Sequence, residues 1–113
     1  MNFSQKCYEL LKKVPLGKVT TYRAIAEKLN TNAYRAVGRA MNKNPSPVKV
    51  PCHRVINSDG KLGGYSRGIK KKIRLLKKEG IKIVDGKIDL EKFRWFFKLN
   101  ELIRQIKNKG AYR

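Results

Sequence analysis

"TTYRAIAEKLNTNAYRAVGRAMNKNP", residues 20–45, decides how this chain folds. Thr20 or Thr21 can cap a short helix that turns Ile25 and Leu29 inward. Asn30-Thr31 makes a turn. A second helix is predicted from about residue 32 to residue 43. Its apolar positions, Ala33, Ala36, Val37, Ala40 and Met41, recur at i, i+3, i+4, i+7 and i+8, one stripe of a helix. Arg35, Arg39 and Asn42 share the opposite face. The small residues Ala33, Ala36, Gly38 and Ala40 are expected to let this helix sit close to its neighbours. Two short helices, a tight turn and a polar second helix read as a helix-turn-helix.

Helices pair in this way for ordinary packing reasons too, so the charge has to join the argument. The chain has 113 residues, with 28 Lys and Arg against 8 Asp and Glu, a formal net charge of +20. Such an excess repels itself in the compact state and points to a polyanion partner, nucleic acid first. The length suits one domain, with or without a terminal addition, and is enough to bury a core. No apolar run approaches the roughly 20 residues of a membrane span. The N-terminus, "MNFSQKCYELLKK", mixes charges with apolar residues and does not read as a signal peptide. Two cysteines make no disulfide framework, and a single histidine leaves a zinc site short of ligands. A reducing cytoplasm follows, where thiols stay free.

Working outward, residues 3–14 place Phe3, Cys7, Leu10, Leu11 and Val14 at helical spacing, with Cys7 as a core cysteine. "VPLGKV" (14–19) is a break. Downstream, "NPSPVKVPCHRVINSDGKLGGYS" (44–66) carries three prolines in eight residues, which forbids a helix. "VKV" and "RVI" read as short strands, and "NSDGKLGG" as the turn of a hairpin or wing. Cys52 is expected on an extended segment. "GIKKKIRLLKKEG" (68–80) predicts a basic helix with Ile69, Ile73 and Leu76 inward, stopped by Gly80. Its lysines at 70–72 read as phosphate contacts or solvated surface. "IKIVDGKIDL" (81–90) reads as a second small hairpin. A final helix is expected over 90–110, with the aromatic run "FRWFF" (93–97) in the core.

Cys52 and His53 are adjacent. To attack carbon a thiol must become thiolate, which needs a base, a positive field, or both. His53 could be the base, with Arg54 and the surrounding charge as the field. Neighbours on an extended strand point to opposite faces, so a direct bond is doubtful and a water could relay the proton. The histidine would also need a carboxylate or carbonyl to fix its tautomer. A buried inert cysteine is the commoner case, and the dipeptide alone leaves both readings open.

The longer pattern resembles the O6-alkylguanine-DNA alkyltransferases. "PCHRV" with an upstream "NP" and a downstream "GGYS" is similar to that family's active-site signature. "TTYRAIAEKL" and "AYRAVGRAMNKNP" resemble its helix-turn-helix, and "IRLLKKEG" its following helix, in the same order and spacing. The resemblance covers residues 1 to about 85. It implies base flipping and irreversible transfer of an alkyl group from O6-alkylguanine to Cys52, without cofactor or metal. It implies that His53, through a water, takes the thiol proton and that Glu79 orients His53. Tyr22 would assist rotation of the nucleotide and donate to the leaving guanine. Arg35 would fill the gap left by the extruded base, with Asn32 and Arg39 also on the DNA. Tyr65 and Ser66 would wall the pocket, the carbonyls of Cys52 and Val55 would accept from the guanine amino group, and Asn44 would hold the turn that orients Cys52.

The chain departs from full-length relatives in lacking an N-terminal domain before this one, so a minimal, DNA-binding-domain version is expected. Arg67 stands where several relatives have glycine, a bulky residue at the pocket rim. The expected architecture is α/β and mostly α: a winged helix-turn-helix with a small β element over residues 1–89, and an added C-terminal helix over 90–113. The expected activity is that of a single-turnover methylated-DNA–protein-cysteine methyltransferase, a monomer in the cytoplasm, associated with the nucleoid and not with membrane. Two alternatives remain. One is an alkyltransferase-like protein that recognises the lesion without transfer; in those proteins another residue, often tryptophan, replaces the cysteine. The other is a winged-helix regulator with an inert cysteine. A cysteine hydrolase is more distant, since no oxyanion-hole motif is evident.

Overall fold

The computed structural model describes residues 1–97. The first helix, α1, spans Phe3–Leu11 and opens on a capping box in which Asn2 and Gln5 satisfy each other's backbone N–H groups. A two-residue strand, β1 (Thr20–Thr21), leads straight into α2 (Tyr22–Lys28), and the Thr21 hydroxyl accepts from the Ala24 N–H as its N-cap. Asn30, at φ 59°, makes the turn into α3 (Tyr34–Asn42). The helix-turn-helix is thus present, with α3 beginning two residues later than the spacing suggests.

Helices α1, α2 and α3 close on one core of Cys7, Leu10, Leu11, Val14, Ile25, Val37, Ala40 and Met41, and Cys52 and Val55 reach into it. The Tyr8 hydroxyl fastens α1 to α3 by donating to the Ala40 carbonyl at 2.7 Å. Gly38 is not part of this close packing. A methyl group there would meet nothing within 4 Å, because Gly38 faces outward over a groove.

The proline-rich segment departs from expectation in detail. "VKV" is a turn with Val48 at φ 76°, and Cys52–Arg54 is one turn of 3-10 helix rather than a strand. Pro51 (φ −80°, ψ 65°) bends the chain into an inverse γ-turn closed by the Cys52 N–H on the Val50 carbonyl at 2.7 Å, which starts that turn. Strand β2 (Val55–Ile56) then pairs in parallel with β1, Thr20 opposite Val55. Residues 57–61 form the expected hairpin turn, a three-residue loop closed by Gly60 N–H on Asn57 O and Asn57 N–H on Lys61 O, both 2.9 Å.

The second core holds Val19, Ile56, Leu62, Leu76, Ile81 and Ile88 beneath α4 (Ile69–Lys78). Ile69, expected inward, is 44% exposed. It is in phase with Leu76 but about two turns earlier, at the helix start, beyond the reach of this core. The second hairpin turns at Asp85-Gly86, both at positive φ, with Val84 and Lys87 exchanging two backbone bonds. The last helix begins at Leu90 as expected but ends at Phe93 (α5, Leu90–Phe93). Phe93 and Trp95 then bond the backbone of Val19 on either side, and Phe97 is buried in the first core. Residues 94–97, expected in the same helix, are not helical, and the part expected over 98–110 lies outside the described residues. Among the described residues no helix is long and apolar enough to cross a membrane.

Candidate functional site

The 3-10 turn puts Cys52 and His53 together at the seam of the two cores, 3% and 0% exposed. The turn, not a strand, sets where they point. His53 Nε2 lies 2.8 Å from Glu79 Oε2 at the C-cap of α4. Arg54 grips the same carboxylate in bidentate fashion, Nε to Oε1 and Nη2 to Oε2, each at 2.9 Å, and its Nη1 donates to the Val14 carbonyl at 2.8 Å. Burial alone would raise the Glu79 carboxyl, but the hydrogen bonds from Arg54 and His53 outweigh it and hold it below the usual range. An ionised carboxylate can only accept, so the histidine proton sits on Nε2. Burial lowers the imidazole despite Glu79, so His53 is neutral at pH 7 and Nδ1 carries a lone pair. Nδ1 is buried and has no hydrogen-bond partner among the described residues.

Burial raises the Cys52 thiol, and Asn44 together with the charges of Lys72 and Arg67 pulls against it without reversing the shift. The resting thiol is therefore protonated at neutral pH. Asn44, 7% exposed, ties the turn together. Its Nδ2 donates to the Val50 carbonyl at 2.8 Å, and its Oδ1 accepts from the Ser46 N–H at 2.9 Å.

Lys72 overturns its surface reading. It is fully buried, and its ammonium donates to the carbonyls of Val55 (2.7 Å), Leu62 (2.5 Å) and Gly64 (3.0 Å). Burial brings its pKa down from 10.5 to about 8, while the Cys52 thiolate would favour its charged form. The signal was present in the sequence. Lys72 stands four residues before Leu76, on the same helical face. Three carbonyls, one from strand β2 and two from the loop after the hairpin turn, stand in for water around the charge. The Val55 carbonyl thereby already has one donor, with a second lone pair to spare.

Tyr65 and Tyr22 are partly buried, and both phenols are raised by burial and by the Cys52 charge they would face. The rings of Tyr65 and His53 meet edge to face, 6.4 Å apart at 74°. Gly63, at φ 69°, lets the backbone pass beside Tyr22, since a methyl there would lie 3.4 Å from the ring and 3.1 Å from Asn57 Oδ1. Ser66 and Arg67 are exposed in the turn closed by Gly68 N–H on Tyr65 O.

Tyr22 also borders an open groove of about 430 Å³, shared with Arg35 and Gly38 of α3 and with the Asn57–Asp59 loop. Arg35, Arg39 and Asn32 are all exposed, Asn32 just ahead of α3. Cys52, His53, Glu79, Asn44, Val55 and Tyr65 thus converge on one buried seam. Arg35 lies on a neighbouring surface joined to it through Tyr22.

A family model described as "6-O-methylguanine DNA methyltransferase, DNA binding domain" matches residues 2–81. The chain is 51% identical over 81 residues to the methylated-DNA–protein-cysteine methyltransferase of Saccharolobus solfataricus, covering 72% of this chain and 52% of that protein. It is similar to the crystal structure of O6-methylguanine-DNA methyltransferase from Pyrococcus kodakaraensis, at 51% identity and TM-score 0.66, over 72% of this chain and 47% of that one. It is also similar to S. pombe Atl1 in complex with damaged DNA containing O6-carboxymethylguanine, at 33% identity and TM-score 0.73, over 83% of this chain and 94% of that one. The chain spans about half the length of the Saccharolobus and Pyrococcus proteins. By the match over residues 2–81 and the identity to these proteins, the chain belongs to the 6-O-methylguanine DNA methyltransferase family, through its DNA-binding domain.

Proposed function

We propose that this chain repairs DNA by moving an alkyl group from the O6 atom of a flipped guanine to the Cys52 sulfur. The observation that carries the reading is the fixed tautomer of His53. Nε2 is committed to Glu79 at 2.8 Å, so the buried Nδ1 lone pair is the basic site left on the residue that follows Cys52. In the reaction His53, through a water, takes the thiol proton as sulfur attacks the alkyl carbon. The carbon–O6 bond breaks and the carbon–sulfur bond forms. Tyr22 protonates the leaving guanine, and the proton held on His53 returns to the phenolate through solvent. The net change is transfer of the alkyl group one way and of the thiol proton the other. The thioether is inert, so each chain acts once and no cofactor takes part.

The raised thiol pKa fits this order, in which the proton leaves as the base enters rather than beforehand. Arg54 acts through Glu79 as a positioning residue, and Lys72 supplies positive charge and ties strand β2 at Val55 to the loop that bears Gly64. Tyr65, Ser66 and the carbonyls of Cys52 and Val55 receive the base. Arg35, with Asn32 and Arg39, engages double-stranded DNA. Extrusion of the base costs a few kcal/mol, which phosphate contacts and an inserted guanidinium offset. Residues 1–89 form the repair domain, and the described part of the extension, 90–97, packs on it. The protein works as a monomer on cytoplasmic, nucleoid DNA.

The likeness to Atl1 favours a second reading, lesion recognition without transfer. Intact-protein mass after mixing with an O6-methylguanine duplex decides. A gain of one methylene on the Cys52 peptide, absent in Cys52→Ala, is the expected result. Tight lesion-selective binding without that gain establishes the recognition reading instead. Neither gain nor lesion preference leaves an ordinary DNA-binding domain.

A further inference from the structure

Helix α4 carries a second charged surface that the repair reaction does not use. Its sequence, "IKKKIRLLKK", contains no acid. Lys70, Lys71, Arg74, Lys77 and Lys78 are all exposed. At about 100° per residue they share one face roughly 120° wide, centred near Arg74. None of the five makes an ion pair or side-chain hydrogen bond among the described residues. Arg74 stands three or four residues from each of the other four, and such like-charged neighbours destabilise a helix. Lys70 and Lys71 lie in the first turn, where the helix dipole disfavours cations. Lys77 and Lys78 in the last turn suit the dipole, but helix stability accounts for neither the crowding nor the two first-turn lysines. A polyanion laid along the face relieves both.

The direction of this face identifies which polyanion segment it meets. Lys72, roughly 160° round the helix from the centre of the cationic face, points to the carbonyls of Val55, Leu62 and Gly64 around the candidate site. The cationic face is turned away from that site. Helix α3 packs in the first core and α4 over the second. The α4 cations thus lie on the opposite side of that helix from the carbonyls around the candidate site.

We propose that the outer face of α4 binds the phosphate backbone of a second segment of duplex DNA, so that one chain bridges two segments. This goes beyond the repair reaction and needs no lesion. The test uses the full chain and two short lesion-free duplexes, one with a donor dye and one with an acceptor. Its variants are K70Q/K71Q/R74Q/K77Q/K78Q and the charge-keeping K70R/K71R/K77R/K78R, with helical circular dichroism confirming that each is folded. The parent and the arginine variant are expected to bring the dyes together. The glutamine variant is expected to need about tenfold more protein or to fail, while still binding a single duplex. The salt slope of bridging should fall by about 0.9 for each phosphate that is no longer neutralised. Absence of bridging by the parent, or an unchanged midpoint in the glutamine variant, would overturn the proposal. So would a face that prefers RNA of equal length, or anionic vesicles, with that preference lost in the glutamine variant. Because no lesion is present, failure here leaves the alkyl-transfer reading intact.

Discussion

Glu79 is bound by His53 and Arg54 at once, its Oε2 lying 2.8 Å from His53 Nε2 and 2.9 Å from Arg54 Nη2. The arginine holds the carboxylate, and the carboxylate holds the imidazole. In Glu79→Gln, Arg54 loses its anion and the proton on His53 Nε2 is no longer fixed. Methyl transfer should slow by about 10², with lesion-duplex affinity nearly unchanged. Stopped-flow transfer kinetics beside equilibrium binding separate the two effects. Equal losses in both would place Glu79 in binding instead.

The same carboxylate governs acid stability. Its folded pKa is depressed, so its contribution is fully present above the unfolded value of about 4.3 and is lost as pH falls through the lower folded value. Parent and Glu79→Gln unfolding curves should therefore converge at acid pH and separate above about pH 5. Urea titrations across that range measure it. A gap independent of pH would show that the charge is immaterial.

Cys52 and Cys7 are both buried, and both thiols are raised, Cys7 to about 11. Iodoacetamide at pH 7 should label Cys52 more slowly than a free peptide cysteine, and Cys7 not at all while the protein stays folded. Labelling of Cys52 should quicken as pH rises past the ordinary thiol value. Peptide mass mapping over time reads both, and fast labelling of Cys52 at neutral pH would mean that a thiolate is already present.

Lys72→Met should destabilise the domain by about 2–4 kcal/mol, because the carbonyls of Val55, Leu62 and Gly64 lose their shared donor inside the protein. Chemical denaturation gives the number. The parent carries a matching pH signature. The folded pKa of Lys72 is about 8, below its unfolded value, so the cost of burying the charge declines as pH rises from about 8 to about 10. Stability should rise across that window in the parent relative to Lys72→Met.

Gly60 and Gly64 should respond unequally to alanine. A methyl at Gly60 would lie 2.8 Å from the Ile88 carbonyl oxygen, at φ 90°, whereas one at Gly64 meets nothing within 4 Å. Gly60→Ala should lose about 2 kcal/mol or more, and Gly64→Ala should stay within about 0.5 kcal/mol. Thermal unfolding of the pair checks it, and similar midpoints would show that the loop shifts freely.

Much of this was legible along the chain. The Thr21 cap, the stripe through Val37, Ala40 and Met41, the Asp59-Gly60 turn and the Asp85-Gly86 hairpin depend on local periodicity and on backbone angles that few residues tolerate. The motif around Cys52 supplied the candidate site residues. Tertiary structure decided the rest. Thr20 of β1 finds Val55 of β2, far along the chain and in parallel, and His53 finds Glu79 across a separation of 26. The prolines exclude a long helix around Cys52 but do not choose between a strand and one 3-10 turn. That choice falls to Pro51, bent by the Cys52 bond to Val50. Lys72 shows the limit most sharply. The sequence by itself put a lysine on the inward face of α4. Only the fold could make that position habitable for a charge, because the three carbonyls that solvate it come from strand β2 and from the segment after the hairpin turn, which local pattern cannot bring to α4.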